Sequence, residues 1–125
     1  MNRTTHATEL RNLSDALQTL HARLVSALRT GLEKLQGRIG PGDLLQRLLH
    51  DPLFAWLRPI SGLIIEIDEL ADVEETPPGA VARIRTSLER WIEANANYRV
   101  LLQSDPDVAM AHAELRRQLA KGRTI

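Results

Sequence analysis

The sequence predicts an all-α protein: a single-domain bundle of four to five mostly antiparallel helices with a long N-terminal helix. Three observations carry this. Leucines recur at helical spacing through the first part of the chain, Asp-Pro pairs and glycine-rich breaks punctuate the rest, and no run alternates with the period of two of a half-buried strand. The 125 residues fit one domain, 1–125. A domain of this size buries about two-thirds of its unfolded surface without staples. Residues 1–7 and 121–125 are expected to be flexible.

The first element follows from Leu10, Leu13, Leu17, Leu20 and Leu24, which step by three and four, with Leu28, Leu32 and Leu35 continuing the stripe. The run GRIGPG ends it. A helix over 8–37 is about 45 Å long at 1.5 Å per residue, against a radius of gyration of about 14 Å for such a domain. It therefore overhangs the body, and either bends near Gly31 or packs its end on another subunit. Asp43 caps a short helix, LLQRLLH. Asp51-Pro52 then supplies an N-cap and a first helical position. Within LFAWLR, Phe54 and Trp56 stand about 200° apart around an α-helix, so neither face of this turn is polar. Pro59 kinks the chain or restarts it, and Ile60, Leu63, Ile64 and Ile67 then form one stripe. This helix, 53–70, is expected at the centre of the bundle.

Thr76-Pro77 marks the next start. Val81, Ile84, Leu88, Trp91 or Ile92, Asn95, Tyr98 and Leu102 come after it on one continuous stripe. Ser104 or Asp105 caps the last helix, with Pro106 near its first position and Val108, Ala111, Leu115 and Leu119 on its apolar side. Arg116, Arg117, Lys121 and Arg123 gather at its C-terminal end, where the helix dipole favours cations.

The formal net charge is zero but unevenly spread: +3 over 1–50, −6 over 51–80 and +3 over 81–125. An acidic middle between basic flanks points to pairing within the chain or across a dimer. Zero net charge gives no long-range attraction to nucleic acid, and RRQLAKGR lacks the interleaved aromatics of a single-strand binder. Cysteine is absent, which excludes disulfides, thiolate metal sites and cysteine nucleophiles. The N-terminus lacks the apolar core of a signal peptide. The densest apolar run, 53–67, is too short to span a membrane and is interrupted by Pro59. The expectation is a cytoplasmic protein with no membrane or nucleic-acid partner.

In that run ten of fifteen residues are apolar, and only Arg58 and Glu66 are charged. Phe54, Trp56, Arg58, Trp91 and Tyr98 are the candidate pocket or interface residues, because an Arg among aromatics can hold an anionic or planar ligand. A guanidinium in such a place either pairs with a carboxylate, of which Asp51, Asp68 and Glu69 are nearest in sequence, or snorkels to water.

Catalytic, cofactor-binding and metal-ligating residues are not assigned. His6, His21, His50 and His112 form no Glu-x-x-His or His-x-x-x-His pair of the kind a metal-binding bundle needs. The acidic run IEIDELADVEE lacks the central glycine of a calcium loop and reads as a solvated helix face. His112, in AHAELRRQL, is the candidate of a histidine phosphotransfer-like reading, but Leu115 and Arg116 stand where such domains carry Lys and Gly.

The segments LLHDPLFAWLRPISGLIIEIDEL and LLQSDPDVAMAHAELRRQL resemble a family of small uncharacterised bacterial all-helical proteins over about residues 8–120. The resemblance implies a bacterial source and a single domain, and no activity. The leading expectation is a non-enzymatic protein-interaction or regulatory module acting as a homodimer or with a protein partner, without cofactor. The alternative is a bundle that binds a small ligand through the Arg and aromatic residues.

Overall fold

The computed structural model describes the backbone of residues 3–121 and the side chains of residues 7–121. Six α-helices succeed one another: α1 (Arg3–Gln36), α2 (Pro41–His50), α3 (Arg58–Asp72), α4 (Ala80–Ala94), α5 (Ala96–Ser104) and α6 (Pro106–Lys121). A 3₁₀ turn, Pro52–Leu57, lies between α2 and α3. There is no strand among the described residues. Of the termini expected to be flexible, Arg3 already belongs to α1 and Lys121 to α6; residues 1, 2 and 122–125 lie outside the described residues.

The count exceeds four to five because the stripe that runs on from Val81 to Leu102 in the sequence is cut. Asn95 is extended (φ −102°, ψ 106°), which ends α4 and begins α5. Its side-chain Nδ2 donates to the Trp91 carbonyl at 2.8 Å, satisfying one acceptor that the broken helix leaves without a backbone partner. Periodicity cannot register this break, because Tyr98 remains on the buried side across it.

The central element is α1, not the 53–70 segment: α1 packs along both α3 and α6. Leu10, Leu13, Leu17, Leu20 and Leu24 are all buried, and Ala16 widens the face enough to meet two neighbours. Cross-links give the directions. Ser14 reaches Asp68 and His21 reaches Ser61, so α1 and α3 are antiparallel. Arg83 pairs with Glu66 while Trp91 donates to the Trp56 carbonyl, so α4 runs back along α3. Arg85 joins Glu9 to the Leu119 carbonyl, placing the start of α1 beside the end of α6. The result is an antiparallel bundle of α1, α3, α4 and α6, with α2 and α5 as short connecting helices.

These pairs also account for the charge blocks. Acidic α3 is held by Arg11 of α1, at 3.3 Å from Asp72, and by Arg83 of α4. Exposed pairs of this kind contribute about 0–1 kcal/mol each, so their main effect is on register. Ser14 differs: it is buried, donates to Asp68 at 2.6 Å and accepts from Gln18 at 2.9 Å. Ser14→Ala is expected to cost about 1 kcal/mol, read as a lower urea midpoint at unchanged slope.

Helix α1 passes unbroken through Gly31, and its far end is covered from within the chain. Gly37 takes the left-handed conformation (φ 86°) and its N–H bonds the Glu33 carbonyl at 2.9 Å, a glycine C-cap. Glu33 then accepts from the Ile39 N–H at 2.8 Å and Arg29 donates to the Ile39 carbonyl, which seats Ile39 in the core. Leu44 and Leu48 of α2 pack against that core. The overhang is thus capped by 37–50, except for Leu35, which is 84% exposed.

Several starts shift. α2 opens at Pro41 with Gly40 as N-cap, and Asp43 sits in the first turn, 3.3 Å from Arg47, rather than capping. α4 opens at Ala80 after Gly79 (φ 79°), not at Thr76-Pro77. Asp51 does cap, accepting from the Leu53 N–H at 2.9 Å, but the turn it opens is 3₁₀ rather than α. Pro59 restarts the chain in the first turn of α3. Asp105 caps α6, accepting from the N–H groups of Asp107 at 2.9 Å and Val108 at 3.3 Å.

Candidate functional site

The 3₁₀ geometry decides the fate of the greasy segment. In a 3₁₀ helix, residues three apart eclipse. Phe54 and Leu57 therefore share one face, and both are buried; Leu53 and Trp56 share another, and are half-exposed. Phe54 is a core residue with no exposed surface.

Of the five candidate residues, Trp56, Trp91 and Tyr98 come together. The indoles of Trp56 and Trp91 stack at 5.8 Å and 15°, and Trp91 meets Tyr98 at 4.9 Å. Trp91 Nε1 donates to the Trp56 carbonyl at 2.8 Å. Trp91 and Tyr98 are buried, so the cluster fastens the 3₁₀ turn to α4 and α5 by ring contact.

The series ends on a residue not grouped with these aromatics from sequence. Tyr98 Oη lies 2.6 Å from His112 Nδ1. The two groups are each other's only side-chain hydrogen-bond partner among the described residues. Burial and the Arg116 charge lower the His112 pKa, and burial raises that of Tyr98. His21, also lowered by burial, lies 3.3 Å from Ser61 Oγ.

Both lowered histidines bind protons more weakly folded than unfolded. Between the folded value and the ordinary value of 6.5, the unfolded state therefore holds more protons. Stability is full above that ordinary value and is lost as pH falls through it. Melting temperature is expected to drop between about pH 7 and pH 5, and less steeply in His112→Gln, which keeps an acceptor for Tyr98.

Arg58 is half-buried and does not take the carboxylate partner that one of its two expected readings required. Its Nε donates to the Leu48 carbonyl at 3.0 Å and its Nη2 to the Asp51 carbonyl at 2.7 Å. It closes the C-terminal end of α2, where carbonyls lack partners and the dipole is negative. No carboxylate lies within ion-pair distance of it among the described residues. The Asp51 carboxylate is engaged by Arg47 at 3.4 Å.

Arg58 lines a groove of about 360 Å³ together with Leu45, Leu48 and Leu49 of α2, Leu57, His21 and Ser61. Sequence reasoning missed the α2 leucines as a site. The available signal was four leucines in a ten-residue helix, more than one packed face of so short an element covers. Leu44 and Leu48 pack inward; Leu45 and Leu49 are 53% and 54% exposed.

A second, polar depression of about 270 Å³ lies between α1 and α6, where Ala16 and Ala111 let the helices approach and Asp15 and Glu114 flank them. No group of three or more His, Asp or Glu that could hold a metal occurs among the described residues. The side chain of His6 lies outside them, and His50 is exposed. No helix among the described residues is long and apolar enough to cross a membrane. No protein-family model, curated protein or solved structure matches the chain.

Proposed function

We propose that the protein is a non-enzymatic interaction module that pairs with a second copy of itself through the end of the bundle built by 35–53. The observation that carries this is the exposure of four large aliphatic side chains there: Leu35 at 84%, Leu45 at 53%, Leu49 at 54% and Leu53 at 48%. A polar exterior serves a lone bundle better, and depletion of charge with apolar enrichment marks the centre of an interface. A second copy suits the face because the chain has no net charge, so two copies do not repel at neutral pH. The twofold arrangement that dominates homodimers presents the same patch from both sides. A cytoplasmic, bacterial setting belongs to the same proposal, supported by the cysteine-free composition and the sequence resemblance.

Sedimentation equilibrium tests it. The native chain is expected at twice its 14.0 kDa mass at tens of micromolar, and Leu45→Glu with Leu49→Glu is expected to return it to monomer with its helical circular dichroism intact. A native chain that stays monomeric defeats the proposal.

A further inference from the structure

We propose that the groove beside α2 is a binding site for a small amphipathic carboxylate, an apolar chain ending in a carboxylate, held by the leucines and by Arg58. The groove's volume of about 360 Å³ falls within the range of small-molecule sites, about 300–1,000 Å³. Its lining divides into four leucines and three residues with polar heads, the pattern of an apolar site with a few orienting groups.

The charge balance selects the head group. Arg58 carries a full positive charge and meets only two backbone carbonyls among the described residues. The end of α2 supplies about half a negative charge through its dipole, which leaves Arg58 under-compensated. Two of its five N–H donors are engaged, and Nη1 makes no hydrogen bond among the described residues. His21 is held toward its neutral form by burial and Ser61 is uncharged, so Arg58 is the one cation in the lining. A carboxylate is the complementary head, because its two oxygens match a guanidinium edge. An alcohol offers weaker bonds and a cation is repelled.

The proposed self-association also draws on Leu45 and Leu49, so the two compete for the same leucines. Calorimetry is therefore run at a concentration where sedimentation shows monomer, which separates failure of the site from failure of the dimer. Decanoate, decanol and decyltrimethylammonium are titrated below their micelle concentrations. Decanoate is expected to bind at least about tenfold more tightly than decanol, the ratio that one charge-assisted hydrogen bond produces, and the cation least. Ser61→Trp places a bulky side chain into the groove from an exposed position on α3 and is expected to abolish decanoate binding with an unchanged melt. Arg58→Gln is expected to bring decanoate and decanol to equal affinity. If Arg58→Gln does not fold, the acid-to-alcohol ratio of the native chain and the Ser61→Trp result still decide. No decanoate binding, equal binding of acid and alcohol by the native chain, or unaltered binding by folded Ser61→Trp overturns the site.

Discussion

Phe54→Ala is expected to lower the unfolding free energy by about 3–5 kcal/mol, the usual cost of deleting a buried phenyl ring. Such a loss is a large share of the roughly 5–15 kcal/mol that holds a domain together. Phe54 has no exposed surface and lies in the cluster that joins α1, α3, α4 and α6. Its removal opens a cavity that surrounding helices fixed by their own contacts close only in part. Urea denaturation checks this, with a lower midpoint at unchanged slope. Leu53→Ala, one residue earlier and half-exposed, is expected to cost about 1 kcal/mol or less and to act instead on self-association. Equal small losses at both positions would return Phe54 to the surface.

Trp91→Ala is expected to be of similar size, about 3–5 kcal/mol. Trp91 contacts Trp56 and Tyr98 and donates to the Trp56 carbonyl. Its loss removes the part that holds the 3₁₀ turn against α4 and α5. Trp91→Phe separates the two contributions: it keeps a ring for stacking but strands the carbonyl, for about 1–3 kcal/mol. Thermal melts of the two variants give the ordering. A ligand-stacking role would show the reverse, with Trp91→Ala leaving stability nearly intact.

Much of the fold is legible from residue spacing. Leu10 to Leu24 are buried as their stripe requires, and Asp105-Pro106 opens α6. The failures are local. Periodicity joins α4 to α5 because Tyr98 continues the stripe across the extended Asn95. The turn at 52–57 is 3₁₀ rather than α, and spacing alone does not say which of its faces, Phe54 with Leu57 or Leu53 with Trp56, is the buried one. The site is less legible. Arg58 stands out as a charge in an apolar run, but its partners are backbone carbonyls, and these are the same at every position of a sequence.

The sequence by itself determined that this chain is helical, that its core is drawn from leucine and isoleucine stripes, and that its acidic middle meets basic flanks, because periodicity and charge are properties of residue order. Tertiary structure alone decided that α1 rather than the 53–70 segment is central, that α2 folds back over the overhang of α1, and that Arg58 faces a leucine-lined groove instead of the aromatic cluster. Those outcomes depend on which faces meet and at what register. That is set by packing between residues far apart in the chain, and no local pattern carries it.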